Sequence, residues 1–186
     1  MKDTGLRKLF WGLLFVLFTF RIAGFDILPD MAGYILFALG IKKLTKYSDY
    51  FVKAEKYNYV MIILSSFFIY ETPLERGSLQ LIHSDVYSTI IGISFIVFRM
   101  ITFYYLFMGI KEMAERQGKL DMGRESYAMW NQYKLIQIGL VTLFIIIFFP
   151  ILNVIYFIFI NVMNFIVSLR LITFMRKCNE SLEIYA

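Results

Sequence analysis

The stretch Arg21-Ile-Ala-Gly-Phe-Asp-Ile-Leu-Pro-Asp-Met-Ala-Gly-Tyr34 sets one arginine, two aspartates and a proline between two apolar segments. It reads as the tight outer turn of a membrane helical hairpin. Gly24 can take the left-handed conformation that ends a helix. Asp26 then stands where an N-cap is wanted, facing free backbone N–H groups. Pro29 falls in the first turn of the second helix, where a missing N–H is tolerated. Asp30, in the same turn, gains about 0.3–1 kcal/mol from the positive end of the helix dipole. Arg21, in the last turn of the first helix, reaches Asp26. The stretch is either a well-capped hairpin with an internal ion pair or a polar pocket at the outer membrane face.

Composition agrees with a membrane protein. Of 186 residues, 59% are hydrophobic and 19% aromatic, with a mean hydropathy of +0.65; soluble domains hold about 45–50% apolar residues. The excess comes as long apolar runs separated by charged ones. The net charge of +5 arises from basic residues beside those runs, so topology explains it better than nucleic acid does. Cys178 is the only cysteine, so no intrachain disulfide forms. His83 is the only histidine, which excludes a histidine-rich metal site. The N-terminal apolar run continues to about Ala23 with no convincing cleavage site, and reads as a retained first span.

The run Gly24-Phe-Asp-Ile-Leu-Pro-Asp-Met-Ala-Gly-Tyr-Ile-Leu36, followed by Gly40-Ile-Lys-Lys-Leu44, resembles a group of small uncharacterised polytopic membrane proteins of Gram-positive bacteria. The resemblance implies a bacterial inner-membrane setting. It implies no activity.

The expected fold is an all-α, polytopic membrane helical bundle of a single domain, 1–186. It has about six transmembrane helices in three in-out-in hairpins, with spans near 9–23, 27–44, 57–70, 86–113, 133–149 and 154–175. The segment Lys42–Lys56 reads as an interfacial loop or short amphipathic helix. Lys111–Lys134 reads as a cytoplasmic loop interrupted by Gly118 and Gly123. Pro150 is the only strong breaker between Tyr133 and Met175, so a tight hairpin belongs there. With both termini cytoplasmic, fifteen of the 19 lysines and arginines fall on the inner side and only Arg76 on the outer. The ends Leu39-Gly-Ile-Lys-Lys-Leu44 and Met108-Gly-Ile-Lys-Glu-Met113 resemble one another. They are either a duplicated hairpin or the common way a helix leaves a membrane.

Arg99 is the most informative single residue. It falls near mid-membrane, where an arginine costs about 2.5–3.5 kcal/mol on insertion scales. Such a residue faces the bundle interior with a partner: Asp26, Asp30, Glu71, a backbone carbonyl or a tyrosine hydroxyl. It serves either as counter-charge for an anionic ligand or as one half of an interhelical ion pair. Arg21, Asp26, Asp30 and Arg99 are the candidate ligand-binding residues. Arg170 lies near an inner end and snorkels. Asn161, Asn164 and Gln137 read as interhelical hydrogen-bonding groups, and the tyrosines, Trp11 and Trp130 as interfacial belts.

No P-loop, dinucleotide fingerprint, zinc-protease motif or cysteine pair occurs. No catalytic residue, metal or cofactor is assigned. The leading expectation is a non-enzymatic integral protein of the bacterial cell membrane, with a small polar pocket open to the outer face. Its partners are the lipid bilayer and a protein in the membrane or at the cytoplasmic face, not nucleic acid. One alternative is the substrate-binding component of a transporter working with a separate ATPase. The chain is similar in size and layout to such subunits of energy-coupling-factor vitamin transporters, but lacks their small-residue docking motif in the first helix. Others are a lipid-acting enzyme using Asp26 or Asp30, and a regulatory subunit whose basic loops meet anionic lipid.

Overall fold

A computed structural model of the chain describes residues 5–17, 21–22, 25–26, 30–67, 86–146 and 149–182. Among these residues the fold is an all-helical bundle with one minimal strand pair. Its helices are α1 (Gly5–Leu17), α2 (Asp30–Leu44), α3 (Asp49–Ser66), α4 (Val86–Arg116), α5 (Leu120–Ile146) and α6 (Pro150–Ser181). Each helix packs on its neighbours in the chain, and α6 closes the ring onto α1. The pairs are antiparallel, as three hairpins require.

The Arg21–Tyr34 stretch departs from its expected form. A helix to Ala23, a new helix from Ile27 and an Asp26 N-cap are expected. Instead β1 (Arg21–Ile22) pairs antiparallel with β2 (Phe25–Asp26), setting Arg21 opposite Asp26 and Ile22 opposite Phe25. Ile22 and Phe25, β-branched and aromatic, favour extended backbone. The expected helix start at Ile27 lies outside the described residues, and with it the Asp26 N-cap.

Four glycines join α1 to α2. A Cβ on Gly12 would stand 2.7 Å from the Gly33 carbonyl oxygen, and one on Gly5 2.7 Å from that of Gly40. The reverse contacts are equally close. The seven-residue spacing on each helix repeats on one face after two turns, so the two backbones touch at two levels.

The helix from Asp49 takes in half of the expected Lys42–Lys56 loop. Ser48 caps it, accepting from the Tyr50 N–H at 3.1 Å and donating to Glu112 of α4. The expected Lys111–Lys134 loop is also mostly helix. α4 continues to Arg116, and the chain turns at Gly118, whose φ of +72° suits glycine. The Lys119 N–H reaches the Ala114 carbonyl and the Gly118 N–H that of Glu115, closing a Schellman turn. α5 begins at once because Met122, Ser126, Met129, Trp130 and Tyr133 are buried at helical spacing beneath the charges. Pro150 opens α6 as its first residue, earlier than the expected 154. Trp130 and Tyr133 therefore lie in the core and not in an interfacial belt.

α4 is the central post. Thr102, Phe103, Leu106, Phe107, Ile110 and Met113 are buried. Phe103 meets Phe37 of α2 and stacks on Tyr133 of α5, while Phe107 faces Phe174 of α6. The Phe51 ring of α3 lies over Gly109.

The outer surface changes character along the helices. On α6 the outward residues from Leu152 to Leu169 are almost all large and apolar; from Arg170 onward they are Arg170, Thr173, Arg176, Lys177 and Glu180. Cations mark the same level elsewhere. The glycine register sets Lys8 opposite Phe37, whose ring is 5.9 Å from Phe103. Lys56 precedes Tyr57, stacked on Tyr105, and Lys134 follows Tyr133. Below this ring lie the ion pairs Lys111–Glu115, Arg116–Glu112, Arg176–Glu180 and Lys177–Glu125. Two of the described helical segments are long and apolar enough to cross a membrane, Ile90–Arg116 and Leu152–Ser181.

Candidate functional site

Four helices bring polar groups together around Arg99. From α4 its Nη2 donates to the Val16 carbonyl oxygen at 3.3 Å, near the last turn of α1. A carbonyl in that turn lacks an intrahelical donor, so a guanidinium completes it. The Phe95 and Phe103 rings lie 5.9 and 6.0 Å from the guanidinium carbon, a cation–π distance. Tyr133 of α5, and Tyr34 and Asp30 of α2, are its electrostatic neighbours.

The cluster has more hydrogen-bonding capacity than the described residues use. Tyr34 is wholly buried and Tyr133 is 1% exposed. The Tyr34 hydroxyl and the buried Arg99 Nε make no hydrogen bond among the described residues, whereas the Tyr133 hydroxyl is within hydrogen-bonding reach of the Arg99 guanidinium. Asn58 of α3 donates to the Tyr34 carbonyl at 2.8 Å, while its own Oδ1 lies buried with no hydrogen bond among the described residues. Buried polar groups are nearly always satisfied by protein or water, and leaving one unmet costs about 1–3 kcal/mol. A guanidinium flanked by two phenols suits one anionic group, with donors for two or three of its oxygens.

Residues 18–20, 23–24 and 27–29, between α1 and α2, lie outside the described residues; beyond Arg99, α4 continues to Val86 and, beyond Tyr133, α5 continues to Ile146, about 20 Å each at 1.5 Å per residue.

Of the four residues singled out by sequence, Asp30 and Arg99 come together. Arg21 and Asp26 are cross-strand partners in backbone register; their side chains lie outside the described residues, as does Glu71. Arg170 is exposed at the cation ring. Asn161 is exposed and bonds the Phe157 carbonyl of its own helix, not a neighbour. Gln137 is buried. Sequence reasoning missed Tyr34 and Tyr133. An α5 beginning near Tyr133 puts that residue at a span end, whereas the helix from Leu120 puts it mid-bundle. The signal was the apolar spacing of residues 122–133. Among the described residues no three His, Cys, Asp or Glu side chains gather. No family model matches this chain, and neither curated proteins nor solved structures supply a match.

Proposed function

We propose that this chain is a non-enzymatic, six-span integral protein of a bacterial cell membrane, with both termini cytoplasmic, that holds a small ligand through an anionic group at Arg99. The outward apolar surface supports the membrane setting. From Leu152 to Leu169, α6 turns apolar residues outward, about 27 Å of helix against a hydrocarbon core of about 30 Å. So large an exposed apolar surface is foreign to a soluble monomer. The ring of Lys8, Lys56, Lys134 and Arg170 then marks the inner boundary. Taking Lys111 as the inner end of the span sets Arg99 near mid-membrane. Taking the ring instead sets it one turn, about 6 Å, inside the boundary. The site opens to the outer face.

One observation carries the ligand reading: the Tyr34 hydroxyl and Arg99 Nε lie buried in one cluster with donors unused among the described residues. Asp30 sets a carboxylate in the same cluster, so a ligand bearing a cationic group beside its anionic one fits best. The transporter alternative needs a small-residue face on α1 for its partner, but Gly5 and Gly12 are taken up by α2. The resemblance to Gram-positive membrane proteins supports the setting only.

The test is native mass spectrometry of the protein, extracted gently from its own membrane, beside Arg99→Leu and Arg99→Lys. A stoichiometric polar metabolite on the wild type, lost from a folded Arg99→Leu, is the expected result. A wild type carrying only bulk lipid, with an Arg99→Leu that does not accumulate, would return Arg99 to helix packing.

A further inference from the structure

Among the described residues of α6 between Leu152 and Leu169, Asn161 is the one exposed polar side chain; the other exposed residues are Leu, Ile, Val or Phe. The bundle uses a different side of the helix, turning Ile160, Val167, Leu171 and Phe174 inward. The Asn161 Nδ2 donates to the Phe157 carbonyl one turn back, at 2.7 Å. That bond takes one of the two amide N–H groups. The other N–H and the Oδ1 acceptor are left to be met from outside the chain. Asn161 lies nine residues from Arg170, about 14 Å along the helix. That is the middle of a hydrocarbon core about 30 Å thick. The side chain is too short to snorkel to either boundary, and acyl chains offer it neither donor nor acceptor.

We infer that Asn161 joins this chain to a second copy of itself, α6 against α6. The assignment rests on the membrane reading above, which gives every copy the same orientation. The twofold axis of such a pair runs along the membrane normal, so residues at equal depth meet and each Asn161 faces its own copy. An amide is self-complementary, because each side chain donates the N–H that the other's Oδ1 accepts. Hydrogen-bond complementarity therefore selects the occupant. Lipid supplies no partner, and an unrelated helix supplies one only if it carries a polar group at this depth. A single buried asparagine fixes the register and number of paired helices, and amides that bond across helices add to association in a membrane. Val154 and Ile158, each 59% exposed, lie seven and three residues before Asn161 on the same side of α6. Both are β-branched, so packing them beside the amide costs little rotamer freedom.

The experiment joins cysteine cross-linking in native membranes to light scattering of the full chain in gentle detergent. Wild type should scatter as a dimer, and its buried Cys178 gives the cross-linking background. Val154→Cys should form a disulfide-linked dimer on mild oxidation. Phe159→Cys, equally exposed but on the far side of α6, should not. Asn161→Leu should raise the dimer dissociation constant by about tenfold, and Asn161→Gln, which keeps the amide, by less than about threefold. A monomeric wild type would overturn the pairing, as would an Asn161→Leu that dimerises as tightly as wild type. Cross-linking through Phe159→Cys in place of Val154→Cys would overturn it too, and so would capture of a different membrane protein by Val154→Cys. Recovery of the wild type in the soluble fraction without detergent would overturn the membrane reading itself.

Discussion

Arg99 illustrates how a costly residue is kept in an apolar bundle. Its charge is met by a terminal helix carbonyl, two aromatic faces and the Tyr133 hydroxyl, with Nε making no hydrogen bond among the described residues. Tyr34 tests this directly. Its hydroxyl is buried without a hydrogen bond among the described residues. Tyr34→Phe should leave the stability of the ligand-free protein unchanged or raise it, by up to about 1–3 kcal/mol of relieved desolvation. It should also reduce ligand retention in the native mass spectrum. A large loss of stability would mean the hydroxyl has a structural partner. Cys178 offers a second check at this scale. It is buried, and a buried thiol is inert. Maleimide should label it slowly in gentle detergent and completely after denaturation in dodecyl sulfate; fast labelling of the folded protein would place the end of α6 elsewhere.

Among the elements, the α1–α2 pair is the one whose sequence allows least change. Any side chain at Gly12 or Gly33 must push apart backbones that approach within van der Waals contact. Gly12→Leu and Gly33→Leu should each lower stability by about 1–3 kcal/mol or more, the cost of overpacking. Gly92 is the control, since a Cβ there meets nothing within 4 Å among the described residues. Gly92→Ala should be neutral or stabilise by up to about 1 kcal/mol, through helix propensity. Thermal melting of the three variants in one detergent checks both. The repeat seen in Leu39–Leu44 and Met108–Met113 has a physical counterpart. Gly40 admits the backbone of α1 and Gly109 the Phe51 ring of α3, with Ile41 and Ile110 wholly buried beside them. These two hairpins each use a glycine near the end of the second helix to draw in the first.

For the whole molecule, sidedness is the property with most consequence. The ion pairs Arg176–Glu180 and Lys177–Glu125, the Gly118 turn and the Ser48 cap all stand at one end. These exposed pairs contribute little stability, under about 1 kcal/mol each, but they keep that end in water. Reporter fusions should therefore read cytoplasmic at the Gly118 turn and external in the Arg21–Asp26 hairpin. A cytoplasmic signal from both would break the three-hairpin arrangement.

The sequence by itself determined the helical class, the antiparallel order of three hairpins, the breakers at Gly118 and Pro150 and the gathering of charge at one end. Each depends on the local chain: hydrophobic runs, φ preferences and the cost of setting lysine in an apolar surround. It also marked Arg99 as a residue in need of partners. Only the tertiary structure decided which partners. Val16, Tyr34 and Tyr133 are distant in sequence and meet Arg99 only once α1, α2 and α5 are set around α4. That arrangement depends on the Gly5–Gly40 and Gly12–Gly33 contacts, and on a helix beginning at Leu120 in a stretch whose charges conceal its buried face. A polar surface stretch reads as loop until the core it covers is known, because burial belongs to the assembled bundle and not to the residue.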